Sequence, residues 1–480
     1  MTSHSMPSTT RLGDRLAVPR TSAGIGVAVR DITPPVGIRA KNWGPADWAR
    51  AEGAHHEMTL TALAIVPAAD PGAGPTEAVA GRVRVMITAD GTWWRRVADE
   101  WGVRGRVLAA LGLEADQLTL SLSHTHAGPV LCAADEHLDG GELIPGYLES
   151  LGDAAIAAAK QALATAAPGR IEWARGRSAL AVNRELDVDG RALVGYNPQA
   201  EPADDTVLVG RITSRAGETL GTIVNYACHP TTLSWQNRLV SPDYVGAMRQ
   251  LVSAATGAPV LFLQGASGEL SPRQQYTGDL DVADRHGRSL GHAVLAALDS
   301  LPAPGTELEL AGVVESGAPL AMWEPAQAAG GEAIAGCCDA VDLELVDLPT
   351  LAELEAGWAD IDPRSREERL GRARNLRDGY IDGPTVRHPV WAWRLGDAVV
   401  VAHPGEAYSR LQTTLRARFP GTPIVVANLT NGPGFVYLPT QEAYDRGAYQ
   451  AWQTPLRAGS LDRLEAHAIR LVAELLDPAQ

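Results

Sequence analysis

One pattern recurs along this chain and restricts its fold more than any other: a short apolar run that stops at a polar residue beside glycine or proline. It occurs at Gln117-Leu118-Thr119-Leu120, leading into Ser121-Leu122-Ser123-His124-Thr125-His126-Ala127-Gly128-Pro129. It occurs again at Asn225-Tyr226-Ala227-Cys228-His229-Pro230-Thr231-Thr232. A third instance is Val260–Leu263, before Gln264-Gly265-Ala266-Ser267-Gly268-Glu269-Leu270-Ser271-Pro272. A fourth is Ala398-Val399-Val400-Val401-Ala402, before His403-Pro404-Gly405-Glu406-Ala407-Tyr408. Runs this short and apolar suit buried strands. In open α/β sheets, ligands gather at such strand ends.

The segments between are helical in pattern: Val97–Leu111, Tyr147–Ala166, Asp243–Ala255, Val282–Leu301, Ala407–Phe419 and Ser460 to about Leu476. Further strands are expected at Ala23–Val36, Met58–Val66, Val83–Thr88, Ile171–Arg175 and Ile424–Leu429. Val207–Thr213 and Thr219–Ala227 read as a hairpin around Ala216-Gly217, and Val390–Leu395 and Ala398–Ala402 as another through Gly396-Asp397. Because several strand pairs are hairpins, mixed β-sheets with flanking helices are expected, an α/β architecture that is not purely doubly wound. Residues 1–22 read as a disordered leader and 23–480 as one domain. Within it, 319–383 is the least regular stretch, an insertion or lid in one reading and a plain surface excursion in the other.

A formal net charge of −16 argues against a nucleic-acid partner and against docking on anionic membranes. The four cysteines form no C-x-x-C pair, which argues against a structural zinc ribbon and suits a reducing compartment. The N-terminal stretch lacks an apolar signal region, and the apolar runs are too short for a bilayer span. A cytoplasmic protein without integral membrane contact is expected.

On a strand, residues two apart share a side, so His124 and His126 face one cavity. They are a metal-binding pair or a hydrogen-bonded pair near a turn. His229 precedes a proline, which keeps its backbone extended. Cys228 then points to the opposite face, into the core. Glu406 sits near an expected helix start, where the helix dipole alone would favour a carboxylate. Together His124, His229 and Glu406 supply two imidazoles and one carboxylate, a donor set that suits a catalytic zinc. Trp43 and the Trp93-Trp94 pair either line a pocket or pack at an edge, and edge packing is expected.

The ordered series Asp31-Ile32-Thr33-Pro34-Pro35, Ala89-Asp90, His124-Thr125-His126-Ala127-Gly128-Pro129, Asn183-Arg184, His229-Pro230-Thr231, Gly268-Glu269-Leu270-Ser271-Pro272, Pro404-Gly405-Glu406 and Tyr437-Leu438-Pro439-Thr440 resembles the neutral/alkaline ceramidase family over roughly residues 23–475. The resemblance implies a neutral-ceramidase-like catalytic domain and a zinc ion (Zn2+) held by His124, His229, Glu406 and Tyr437. It implies that His126 is an active-site histidine off the metal, that Arg184 is the active-site arginine, and that Tyr449 is an oxygen-stabilising donor. Ser271 matches a serine once proposed as the family's nucleophile. A zinc-activated water is the expected nucleophile instead, since a serine would need its own base. Secreted members carry a signal sequence and a C-terminal immunoglobulin-like domain, and neither is expected here. The activity expected is hydrolysis of an amide (N-acyl) bond in a small-molecule substrate smaller or more soluble than ceramide. The rival readings are an ester, lactone or phosphoester hydrolase on the same scaffold, and a non-catalytic relic.

Overall fold

The computed structural model describes residues 15–67, 82–433 and 436–477. The expectations for residues 1–14, for the loop around Pro71–Pro75 and for Gly434-Phe435 lie outside the described residues. The founding strand is β1 (Arg20–Asp31), whose apolar positions fall between two packed layers. Around it forms an eight-stranded sheet with β2 (Thr59–Val66), β3 (Arg84–Ala89), β4 (Leu118–Leu122), β5 (Ala167–Arg177), β6 (Thr206–Ser214), β7 (Thr219–Tyr226) and β8 (Val260–Gln264). The strand order is β8-β7-β6-β5-β1-β2-β3-β4. The inner neighbours are antiparallel, and only the outermost pairs, β7/β8 and β3/β4, are parallel. Each parallel pair is one crossover, made through helix α1 (Val97–Leu111) on one side and α3 (Tyr244–Thr256) on the other.

Helix α2 (Ile144–Ala164) covers β1 and β2 on the outer face, while α3 and α4 (Leu280–Asp299) cover β5 to β8. Gly26 permits the close approach of α2, because a Cβ there would overlap the Ala162 carbonyl. Against the other face packs a second, four-stranded sheet of β9 (Ile334–Glu344), β10 (Thr385–Leu395), β11 (Ala398–Ala402) and β12 (Ile424–Ala427). Ile25, Leu63, Ile65 and Met86 of the large sheet share one core with Trp391, Trp393, Val400 and Val425 of the small one. The β11–β12 crossover carries α7 (Arg410–Arg418), and the terminal helix α8 (Ser460–Leu476) covers the small sheet from outside. The layers therefore run helix, sheet, sheet, helix. No described helix is long and apolar enough to cross a membrane.

Three expectations change. Ordered chain begins before Ala23: Arg15–Leu16 pairs with Leu308-Glu309, and β1 starts at Arg20. The Arg20 guanidinium is buried against Glu307 at 3.1 Å, a long-range ion pair that no local pattern announces. The stretch 319–383 also divides. Pro319–Gln327 forms an outer ribbon with Thr306–Glu315, while Ile334–Glu344 is strand β9 itself, carrying Cys337 and Cys338. Only the helical part beyond β9, with α5 (Leu351–Gly357) and α6 (Pro363–Leu376), stands apart from the sheets. Finally, α7 begins at Arg410 rather than Ala407, so Glu406 gains nothing from a helix start.

The segment Asn428–Asn431 joins the two edges of the large sheet. Asn428 N–H donates to the Gln264 carbonyl at 2.9 Å, at the end of β8. Leu122 N–H donates to the Leu429 carbonyl at 3.1 Å, and Asn431 N–H to the Leu120 carbonyl at 3.0 Å, along β4. The Asn431 side chain accepts from Leu120 N–H at 2.7 Å and donates to the Leu118 carbonyl at 2.9 Å. Leu429 and Asn431 adopt φ of 54° and 57° to make this path, which asparagine tolerates and leucine resists. Asn431→Ala is expected to lose about 2–4 kcal/mol of stability, since it orphans two buried backbone groups. Urea denaturation measures this, and a change below about 0.5 kcal/mol would contradict the bridging role.

Candidate active site and metal centre

The four segments singled out in the sequence meet at one buried point. His124 follows the end of β4, but not as a strand residue: its φ is 66°, in the left-handed region. The same-face argument for His124 and His126 is therefore corrected. A left-handed turn brings both rings into one cavity, with centroids 4.8 Å apart. His229 follows β7, and its ring lies 4.7 Å from that of His124. Cys228 is buried in the core beneath, as expected.

Glu406 and Tyr437 stand opposite each other in a two-residue parallel pairing, Glu406–Ala407 with Tyr437–Leu438. Glu406 Oε2 is 2.9 Å from His229 Nε2 and 3.2 Å from His124 Nε2. Both imidazoles are held from behind. His124 Nδ1 faces the Thr92 carbonyl at 3.1 Å, and His229 Nδ1 faces the Ser267 and Leu270 carbonyls at 2.7 and 3.1 Å. A carbonyl only accepts, so each Nδ1 carries the proton and each Nε2 presents a lone pair. In their neutral forms the two imidazoles thus turn lone pairs toward the same carboxylate oxygen. That arrangement fits a cation. Donors placed tetrahedrally about zinc at its usual bond lengths lie roughly 3.3 Å apart, close to the spacings here.

Arg184 braces the site from the far side. Its Nη2 donates to the Gly268 carbonyl at 2.8 Å and has its second N–H between Tyr437 Oη at 3.2 Å and His229 Nε2 at 3.0 Å. His126 is different from its neighbours: its Nε2 is buried and has no hydrogen-bond partner among the described residues. Its ring lies 5.0 Å from Trp93 and 5.2 Å from Trp43. Those tryptophans therefore wall the site, correcting the edge-packing expectation. The side-chain nitrogens of His124, His126 and His229 lie within 4.8 Å of one another, so His126 is near enough to serve either a metal or a substrate.

Burial sets the protonation states. It pushes His229 down to about 3, assisted by the Arg184 charge. It holds His126 well below the ordinary imidazole range, assisted by His124 and His229. For Glu406, burial opposes ionisation, but His124 and His229 outweigh it and hold the carboxyl below its usual range. Burial, then the Glu406 charge, raises the Tyr437 phenol well above its ordinary value.

Tyr449 opens a short helical turn with its ring 6.0 Å from Tyr437, and its hydroxyl accepts from Arg372 Nη1 at 3.4 Å. Ser271 lies on Leu270–Pro272, paired with Ala181–Asn183, and its buried Oγ has no partner among the described residues. Among the described residues no base is in hydrogen-bond reach of it. Above His126 and Tyr449 opens a cavity of about 490 Å³. Its roof is the stretch carrying Leu354, Trp358, Arg372 and Leu376, and its rim includes Trp452. The orienting carbonyls of Thr92, Ser267 and Leu270 and the cavity arginines had no signal in the sequence, since any residue supplies a carbonyl and the stretch around Arg364–Arg377 shows only a charged helix. A second histidine cluster, His55 and His56 on Asp284, is satisfied internally through Ser241 and Gln250.

This is a mixed-sheet α/β fold of the neutral ceramidase type. The neutral ceramidase of Pseudomonas aeruginosa superposes with a TM-score of 0.66 at 18% identity, over 96% of this chain and 75% of that one. A ceramidase structure complexed with C2 gives a TM-score of 0.65 at 16% identity, over 96% of this chain and 76% of that one. No family model matches the sequence, and no curated protein does.

Glu269, whose carbonyl accepts from Arg184 N–H at 2.9 Å, yields a pH prediction. Its buried carboxyl accepts from Ser409 N–H at 3.0 Å, yet burial pushes it up from 4.5 to about 7. Between those values the folded state keeps a proton that the unfolded chain has released. Stability is therefore lost as pH rises through that window, by on the order of 3 kcal/mol. In urea denaturation at about pH 4.5 and pH 8, wild type should lose stability relative to Glu269→Gln as pH rises. A constant difference between the two proteins would contradict the assignment.

Proposed function

We propose that the chain is a metal-dependent hydrolase of amide bonds, with zinc as the ion and a compact N-acyl compound as substrate. The observation that carries this reading is the convergence of His124 Nε2, His229 Nε2 and Glu406 Oε2 with both Nδ1 protons committed to backbone carbonyls. These residues, with Tyr437, would hold the ion. When bound, the ion supplies Lewis acidity, acidifying water and drawing charge from the substrate carbonyl. Arg184 keeps Tyr437 in register by donating to its Oη while it is anchored on the Gly268 carbonyl.

The remaining chemistry belongs to side chains around the cavity floor. His126 is neutral and its Nε2 is unpartnered, so it can take a proton from the attacking water. The C–O bond forms as the water gives up that proton, and His126 returns it to the leaving nitrogen as the C–N bond breaks. Tyr449 accepts from Arg372, which leaves its own hydroxyl proton free for the oxygen where charge develops. Trp43 and Trp93 limit water around His126. Ser271 Oγ has no hydrogen-bond partner among the described residues, so no base activates it there, and its role is structural. A cavity of about 490 Å³ suits one short acyl chain better than a two-chain lipid.

Two measurements test this. Purified protein should bind close to one zinc per chain, and His124→Ala, His229→Ala and Glu406→Ala should each lose most of it by metal analysis after dialysis. Full metal retention in those variants would overturn the site. Separately, His126→Ala should keep its metal and lower kcat by about 10²–10⁴ on an N-acyl amide. Tyr449→Phe should likewise keep its metal and lower kcat by about 10²–10³.

A further inference from the structure

Helix α6 presents Ser365, Glu368, Arg369, Arg372, Ala373 and Leu376 to the cavity, residues at the spacing of one helical face. A helix that roofs an apolar cavity ordinarily turns its charges outward. This one turns guanidinium groups inward, among Leu348, Leu354, Trp358 and Trp452. Among the described lining residues Glu368 is the only carboxylate, against Arg369, Arg372 and Arg377. The imbalance is local, because the chain as a whole carries a net charge of −16.

The three arginines differ in how well they are satisfied. Arg377 donates to the Ala373 and Pro349 carbonyls at 2.8 and 2.7 Å. Arg372 has only long contacts, 3.4 Å to Tyr449 Oη and 3.3 Å to Glu368 Oε1. Arg369 has no hydrogen bond or ion pair among the described residues. It lies 4.9 Å from the Trp452 ring and 5.8 Å from the Trp358 ring. Two indoles thus hold the guanidinium without using its N–H donors. A guanidinium fork with free donors in a partly desolvated wall is suited to a carboxylate, which it can bind through two parallel hydrogen bonds. Filling the same wall with hydrocarbon alone would strip water from those donors and return nothing.

We propose that Arg369 and Arg372 form an anion subsite, and that the substrate is an N-acyl compound bearing a carboxylate. The step is the hydrolysis already described, so this rests on the amide-hydrolase reading and names the substrate class for it. The carboxylate can sit on the amine portion, as in an N-acyl amino acid, or at the far end of the acyl chain. Both place one negative charge within an otherwise apolar ligand.

The test uses the zinc-loaded protein and two matched pairs: hexanoylglycine against hexanoylglycinamide, and the mono-propylamide of adipic acid against hexanoyl propylamide. Within at least one pair, kcat/KM should favour the carboxylate by about ten-fold or more, and the preferred pair tells which portion carries the charge. Arg369→Gln with Arg372→Gln should bring that ratio near unity, mainly through KM, while Arg369→Lys should keep part of it. Raising salt should shrink the wild-type ratio. Neutral members hydrolysed as well as charged ones in both pairs would overturn the subsite, as would a ratio unchanged in the double variant. If no N-acyl compound is cleaved, the amide-hydrolase reading fails on its own. The subsite is then read from calorimetric binding of the same pairs, where the carboxylate should bind about ten-fold tighter and equal binding would overturn it. The wild-type comparison needs no variant to fold.

Discussion

The arrangement depends on how the two ends of the large sheet are brought together. Both edges are parallel pairs, and their carboxyl ends carry His124 and His229. The segment Asn428–Asn431 hydrogen-bonds to Gln264 at one edge and to Leu120 and Leu122 at the other. The same segment is tied to the Glu406 loop, since Thr430 N–H donates to the His403 carbonyl and Leu429 N–H to the Gly405 carbonyl. One short piece of backbone therefore sets the distances among three side chains from distant parts of the chain. A packed interior transmits a shift here directly to the site, because cores have little slack.

That frame also explains the charge state of the site. Three acceptors do not converge in a buried place unless something positive offsets them. The carbonyls behind each imidazole ring take the Nδ1 protons, so the neutral rings turn Nε2 lone pairs toward Glu406, an arrangement suited to a cation. Arg184 contributes positive charge from behind, and Trp43 and Trp93 restrict solvent from the cavity side. The left-handed backbone at His124 is consistent with that demand, as strained conformations persist where the surroundings over-determine them.

Much of this was legible in the sequence, for identifiable reasons. Helix α1 matches the expected Val97–Leu111 at both ends, because Gly112 supplies the left-handed cap that stops it. The hairpin through Gly396-Asp397 and the buried run Val260–Leu263, observed as Val260–Gln264, follow from turn chemistry and apolar length. The segments bearing His124, His229, Glu406 and Tyr437 were found because each ends an apolar strand or repeats a family motif. Arg20, by contrast, looked like leader. A charged residue opens β1 only because Glu307 waits far along the chain. Strand β9 was legible only at its end, as the strand-like Val341–Val346, because Ala335, Gly336, Asp339 and Ala340 before it have weak strand preference, which pairing with β10 overrides.

The sequence by itself determined the kind of elements, their order and the chemistry available at their ends, because periodicity, turn residues and side-chain type are local properties. Only the tertiary structure decided which of those ends meet. It decided that a left-handed turn, not strand alternation, aims the two histidines, and that Tyr437 registers against Glu406. It decided that a helix legible only as charged turns two arginines into the cavity. Those outcomes depend on hydrogen bonds and close packing between residues hundreds of positions apart, and no local pattern encodes them.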